Sequence, residues 1–101
     1  MKPLETFREI VRERGERLRT QAFEHLQQLK DEPSENVVID SRPATISIIV
    51  QPRADGSLRV VVQGFMKSRF LPWKDVALDG FYKYPDGTVT AMPSDEFYDF
   101  D

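Results

Sequence analysis

Residues 45–65 read TISIIVQPRADGSLRVVVQGF, and the fold depends on how the middle of that stretch closes. The two arms are rich in β-branched residues, which suit a pleated, half-buried surface. Between them lies Arg53-Ala54-Asp55-Gly56. This fits a type I turn followed by a left-handed Gly56, a three-residue hairpin loop with a G1 bulge. A two-residue Asp55-Gly56 turn would set Ile48 against Gln63. The three-residue loop instead puts Ile46, Ile48 and Val50 on one face with Leu58, Val60 and Val62. A one-residue slip would turn a whole apolar set to the other side, so the apolar match selects the longer loop. The opposite face carries Ser47, Gln51, Arg59 and Gln63, with an apolar spot at Ile49 and Val61 that a further element is expected to cover.

Outward from this hairpin, the composition sets limits. A chain of 101 residues is expected to form a single domain, residues 1–101, with a core that needs no disulfide. It contains no cysteine, which excludes thiolate catalysis and cysteine-based zinc sites and suits a reducing, cytoplasmic setting. No apolar run reaches the length of a membrane helix, and MKPLETFREI has no signal-peptide pattern. The net charge of −3 is unevenly placed. Residues 1–30 hold seven basic and five acidic residues, whereas residues 75–101 hold seven acids and only Lys83 as a base.

Residues 3–30 predict one amphipathic helix. Leu4, Phe7, Val11, Leu18, Ala22, Leu26 and Leu29 recur at spacings of three and four. The stripe fails at Arg14 and Gly15, a position that fits a kink, a break or a close contact. An unbroken helix is the expectation, because Glu13 and Arg17 bracket the glycine at i, i+4. A strand over 36–39, the central hairpin, and a second hairpin around Pro85-Asp86-Gly87 follow. Pro43 and Pro52 belong at strand ends. Residues 66–80 read as a long connection with one helical turn near Lys74 to Ala77. A short helical turn over 94–100 closes the chain, capped by Ser94. The expected architecture is α+β: one long N-terminal helix packed on a four- to five-stranded antiparallel sheet spanning residues 36–92, with a short C-terminal turn.

Catalytic chemistry has little to work with. His25 is the single histidine, no serine lies in a nucleophile-elbow pattern, and the Asp-Gly pairs lack calcium-loop spacing. No catalytic residue, metal site or cofactor is expected. Two surfaces stand out. Lys67, Arg69, Trp73 and Lys74 interleave cations with an aromatic, the pairing used to hold phosphate and stack bases. Tyr82, Tyr84, Asp95, Glu96, Tyr98 and Asp99 combine aromatics with acids, as a protein-binding patch does. The expectation is a small non-enzymatic module, monomeric or homodimeric. By analogy of bulk properties it is adaptor- or immunity-like, meeting a basic protein partner and no membrane. The alternative is a nucleic-acid-associated protein using residues 67–74.

Overall fold

The computed structural model describes residues 3–29, 34–67 and 74–93. Among these residues two helices, α1 (Pro3–Arg19) and α2 (Phe23–Gln28), precede five strands: β1 (Glu35–Ile39), β2 (Arg42–Pro52), β3 (Leu58–Lys67), β4 (Lys74–Lys83) and β5 (Val89–Ala91). The strands form an antiparallel meander in the order β1-β2-β3-β4-β5. The fold is α+β, as the sequence predicts. The C-terminal turn expected over 94–100 lies outside the described residues.

Both glycine turns take the expected form. The Arg53 N–H donates to the Ser57 carbonyl at 2.8 Å, and the Gly56 N–H donates to Arg53 at 3.1 Å. Tyr84 and Thr88 repeat this around Gly87. Gly56 and Gly87 have φ of 88° and 94°, where a Cβ would be strained. Ile48 faces Val62 and Val50 faces Val60. A third turn joins β1 to β2. Asp40 and Ser41 both have positive φ, 49° and 64°, as in a two-residue type I′ hairpin.

These turns fix the whole ladder. Hydrogen-bonded and non-hydrogen-bonded pairs alternate in an antiparallel sheet. Starting from the Arg53–Ser57 pair, the odd-numbered residues of β3 bond to β2 and the even-numbered ones to β4. On β4 the odd-numbered residues therefore bond back to β3. Val76, Leu78 and Tyr82 turn their main-chain groups the other way. Pro43 fits the same scheme, because its missing N–H falls on the side facing β3, where the β2–β3 pairing stops at Ala44.

One face of the sheet meets the helices. Phe7, Val11, Leu18 and Leu26 pack with Ile39, Ala44, Ile46, Val50, Leu58, Val60, Val62, Met66, Ala77 and Phe81 in one buried cluster. Each large side chain so buried contributes about 1.5–3 kcal/mol. Two glycines allow α1 to approach. A Cβ on Gly64 would stand 2.8 Å from Phe7 and Val11, and one on Gly15 would stand 1.7 Å from the Asp79 carboxylate. Gly15 thus interrupts the apolar stripe because it is where the helix touches β4.

The helix is nevertheless not continuous over 3–30, and its break is not at Gly15. α1 ends at Arg19, and α2 begins after Ala22. The Thr20 hydroxyl donates to the Arg17 carbonyl at 2.7 Å. The Lys83 ammonium donates to the Arg19 carbonyl at 3.0 Å, the acceptor that residue 23 would need in a continuing helix. Ala22, expected in the core, is exposed in extended conformation ahead of α2. Leu18 and Leu26 are buried as expected.

The second correction concerns residues 74–80, expected as a connection with a helical turn. They are strand, and β4 runs unbroken to Lys83. Its core-facing positions include Asp75, Asp79 and Lys83, opposite Met66, Val62 and Leu58. Charges at inward positions hide the alternation from which a strand is read. The apolar spot on the outer face is covered, and Val61 is fully buried. It packs with Tyr82 and Met92, with Ile49, Leu78 and Tyr84 alongside.

Candidate functional site

Most inward-facing charges of the sheet are engaged in holding the fold together. Arg19 donates to both carboxylate oxygens of Asp79, at 2.7 and 3.1 Å, and to the Gly80 carbonyl at 3.3 Å. Its guanidinium lies 4.9 Å from the centre of the Phe81 ring. The hydrogen bonds that Arg19 donates to Asp79 raise its pKa above the ordinary arginine value, against the opposing effect of burial. Lys83 is 5% exposed and closes the end of α1. Arg42 donates to Asp75 at 2.9 Å and to the Lys67 carbonyl at 3.0 Å. Among the described residues no buried side-chain nitrogen or oxygen lacks a partner. These charges are committed to joining helix to sheet and strand to strand.

The β4 edge differs. β5 covers only Phe81 to Lys83, so β4 has no neighbour over residues 74–80 among the described residues. Val76 and Leu78 direct their N–H and C=O groups to that side. There α1 overhangs the strand, and Arg8, Val11, Arg12, Val76, Ala77, Leu78 and Asp79 line a groove of about 300 Å³. Arg12 is paired with Glu9 at the surface. Arg8 has no ion-pair partner among the described residues. The result, among the described residues, is a sheet edge with no strand neighbour, an apolar floor and a helical wall that carries Arg8 and Arg12.

A second depression of about 350 Å³ lies at the other end of the outer face. It is lined by Asn36, Val37, Val38, Pro43, Ala44, Thr45, Phe65 and Lys67. Val38 there is 73% exposed. Along the outer face, Arg59 and Lys67 are the charged strand residues with described side chains, and no Asp or Glu stands there.

The sequence-derived candidates fall in several places. Lys67 is exposed beside the second depression, with Lys74 opposite it in register. Tyr82 is 7% exposed and lies under the Arg53 guanidinium, 3.8 Å from the ring centre. Tyr84 is half-buried at the rim of the same cluster. Arg69, Trp73, Asp95, Glu96, Tyr98 and Asp99 lie outside the described residues. His25 is exposed on α2, and no three His, Asp or Glu among the described residues could together hold a metal. Sequence reasoning missed Arg8 and Arg12, which look like ordinary solvated helix residues. Only the strand assignment of 74–80 brings them to a site. No described helix is long and apolar enough to cross a membrane. The chain matches no family model, no curated protein and no solved structure.

Proposed function

We propose that this protein is a non-enzymatic binding module for a protein partner, with the open β4 edge beside α1 as its contact surface. The observation that carries this reading is that, among the described residues, no strand pairs with β4 over 74–80, where the outward main-chain groups of Val76 and Leu78 lie beside a helical wall. Sheet edges left open in this way template the addition of another chain, and natural proteins usually blunt them with charge, proline or a cover. Tyr82 and Tyr84 rank below this edge as contacts, since Tyr82 is packed under Arg53. The cysteine-free composition supports a cytoplasmic setting. Site-specific photocrosslinking tests the reading, with the photoreactive residue at position 12 beside the groove or at position 54 in the distant hairpin loop. A protein adduct from position 12 and not from 54, whose partner then binds the purified protein by calorimetry, is the expected result. No adduct from position 12, or the same adducts from both, would overturn it.

A second reading rests on the outer face and its lack of carboxylates among described strand residues. With Arg59 and Lys67 it suits a polyanion, so nucleic-acid binding through residues 67–74 is the alternative. Binding of an oligonucleotide whose affinity falls steeply with salt would favour it.

A further inference from the structure

We infer that the groove between α1 and the β4 edge takes an extended acidic peptide as an added strand, its residues alternating between carboxylate and β-branched side chains. The inference rests on the proposed use of this edge and adds the chemistry of the occupant.

The register supplies the alternation. A strand laid on β4 would sit about 4.8 Å from it and bond to the outward N–H and C=O groups of Val76 and Leu78. Its side chains would then alternate between the two faces of the sheet. Those on the outer face would continue the apolar row of Val76 and Leu78, where β-branched residues pair well across strands. Those on the inner face would meet the α1 wall.

The charge on that wall selects the other half of the pattern. Asp79, the acid lining the groove, has both oxygens engaged by Arg19. Glu9 neutralises Arg12 at the exposed surface. Arg8 remains, so the wall is net cationic and complementary to a carboxylate. Arg8 and Arg12 stand one helical turn apart, about 5–6 Å between Cβ atoms. Same-face side chains on a strand repeat at about 6.6 Å, so an acid facing Arg8 places the next acid of that row near Arg12, where it competes with the exposed Glu9. Arginine also holds a carboxylate through two parallel bonds.

The test uses the full chain, labelled with nitrogen-15, and a capped hexapeptide alternating valine and glutamate. The expected result is that the Val76 and Leu78 amides shift and exchange more slowly with peptide bound. Replacing glutamate by lysine in the peptide, or the double change Arg8→Glu with Arg12→Glu in the protein, should weaken binding at least tenfold. Methylating alternate peptide nitrogens should abolish it. Equal binding of the glutamate and lysine peptides, with Val76 and Leu78 still protected, would overturn the acidic preference and leave the edge reading standing. No protection with any peptide, or Val76 and Leu78 already protected in the free protein, would overturn both. An oligonucleotide that shifts Lys67 and Arg59 while no peptide shifts Val76 would transfer the function to the outer face.

Discussion

Replacing Gly15 by alanine sets two effects of known sign against each other. In an exposed helix interior the change stabilises by about 1 kcal/mol through helix propensity. Here the new methyl would lie 1.7 Å from Asp79 Oδ2, 2.8 Å from its Cγ and 3.0 Å from Arg19 Nη1. Ordinary contact needs about 3.5 Å, so the carboxylate must move by nearly 2 Å. The Arg19–Asp79 bonds of 2.7 and 3.1 Å do not both survive such a shift. Hydrogen bonds to charged groups contribute about 1.5–3 kcal/mol. The pair's side chains are 25% and 22% exposed, so the lower part of that range applies. Overpacking adds about 1–3 kcal/mol. The net expectation is destabilisation by about 1.5–3.5 kcal/mol, read as a lower urea midpoint at unchanged slope by far-ultraviolet circular dichroism. The same change in an Asp79→Ala background meets no carboxylate and should stabilise by about 1 kcal/mol. A Gly15→Ala protein as stable as its parent would refute the docking of α1 on β4 through this contact.

Gly64→Ala should cost about 1–3 kcal/mol, because its methyl would press on Phe7 and Val11 at 2.8 Å; thermal unfolding checks this. Leu26→Ala should cost about 2–5 kcal/mol, since Leu26 is fully buried, and an unchanged midpoint would remove α2 from the core. Gly56→Val should cost roughly 1–2 kcal/mol through its positive φ alone, as a Cβ there meets no atom within 4 Å. The Ser57 hydroxyl and N–H hold the Asp55 carboxyl below the ordinary aspartate range, and Thr88 does the same for Asp86. A carboxyl depressed in the folded state contributes stability above its unfolded pKa and loses it as pH falls through its folded pKa. Stability should therefore be level above about pH 5 and decline below about pH 4, and carbon-13 titration of Ser57→Ala should show Asp55 moving up.

The hairpins were legible because turn chemistry and register agree on a single arrangement. Asp-Gly needs a left-handed position, and Ile46, Ile48 and Val50 share one sheet face with Leu58, Val60 and Val62 under one loop length only. The amphipathic stripe likewise gave α1 and the burial of Leu18 and Leu26. Where the sequence misled, long-range polar contacts decided the outcome. No local signal ends α1 at Arg19. The carbonyl there is taken by Lys83, sixty-four residues away. Strand β4 was obscured because Asp75, Asp79 and Lys83 point inward, which makes sense only with Arg42, Arg19 and the end of α1 in place. The groove was hidden for the same reason, since its two walls come from an ordinary helix and an unrecognised strand edge.

Amide hydrogen exchange along β4 tests the central claim most directly. If β4 is a strand bonded to β3 on one side and open on the other, protection alternates. Ala77 and Asp79 should exchange slowly, and Val76 and Leu78 between and beside them should exchange fast. Uniformly slow exchange over residues 75–79 would mean that the edge is already filled, and uniformly fast exchange would mean that β4 is not a strand there.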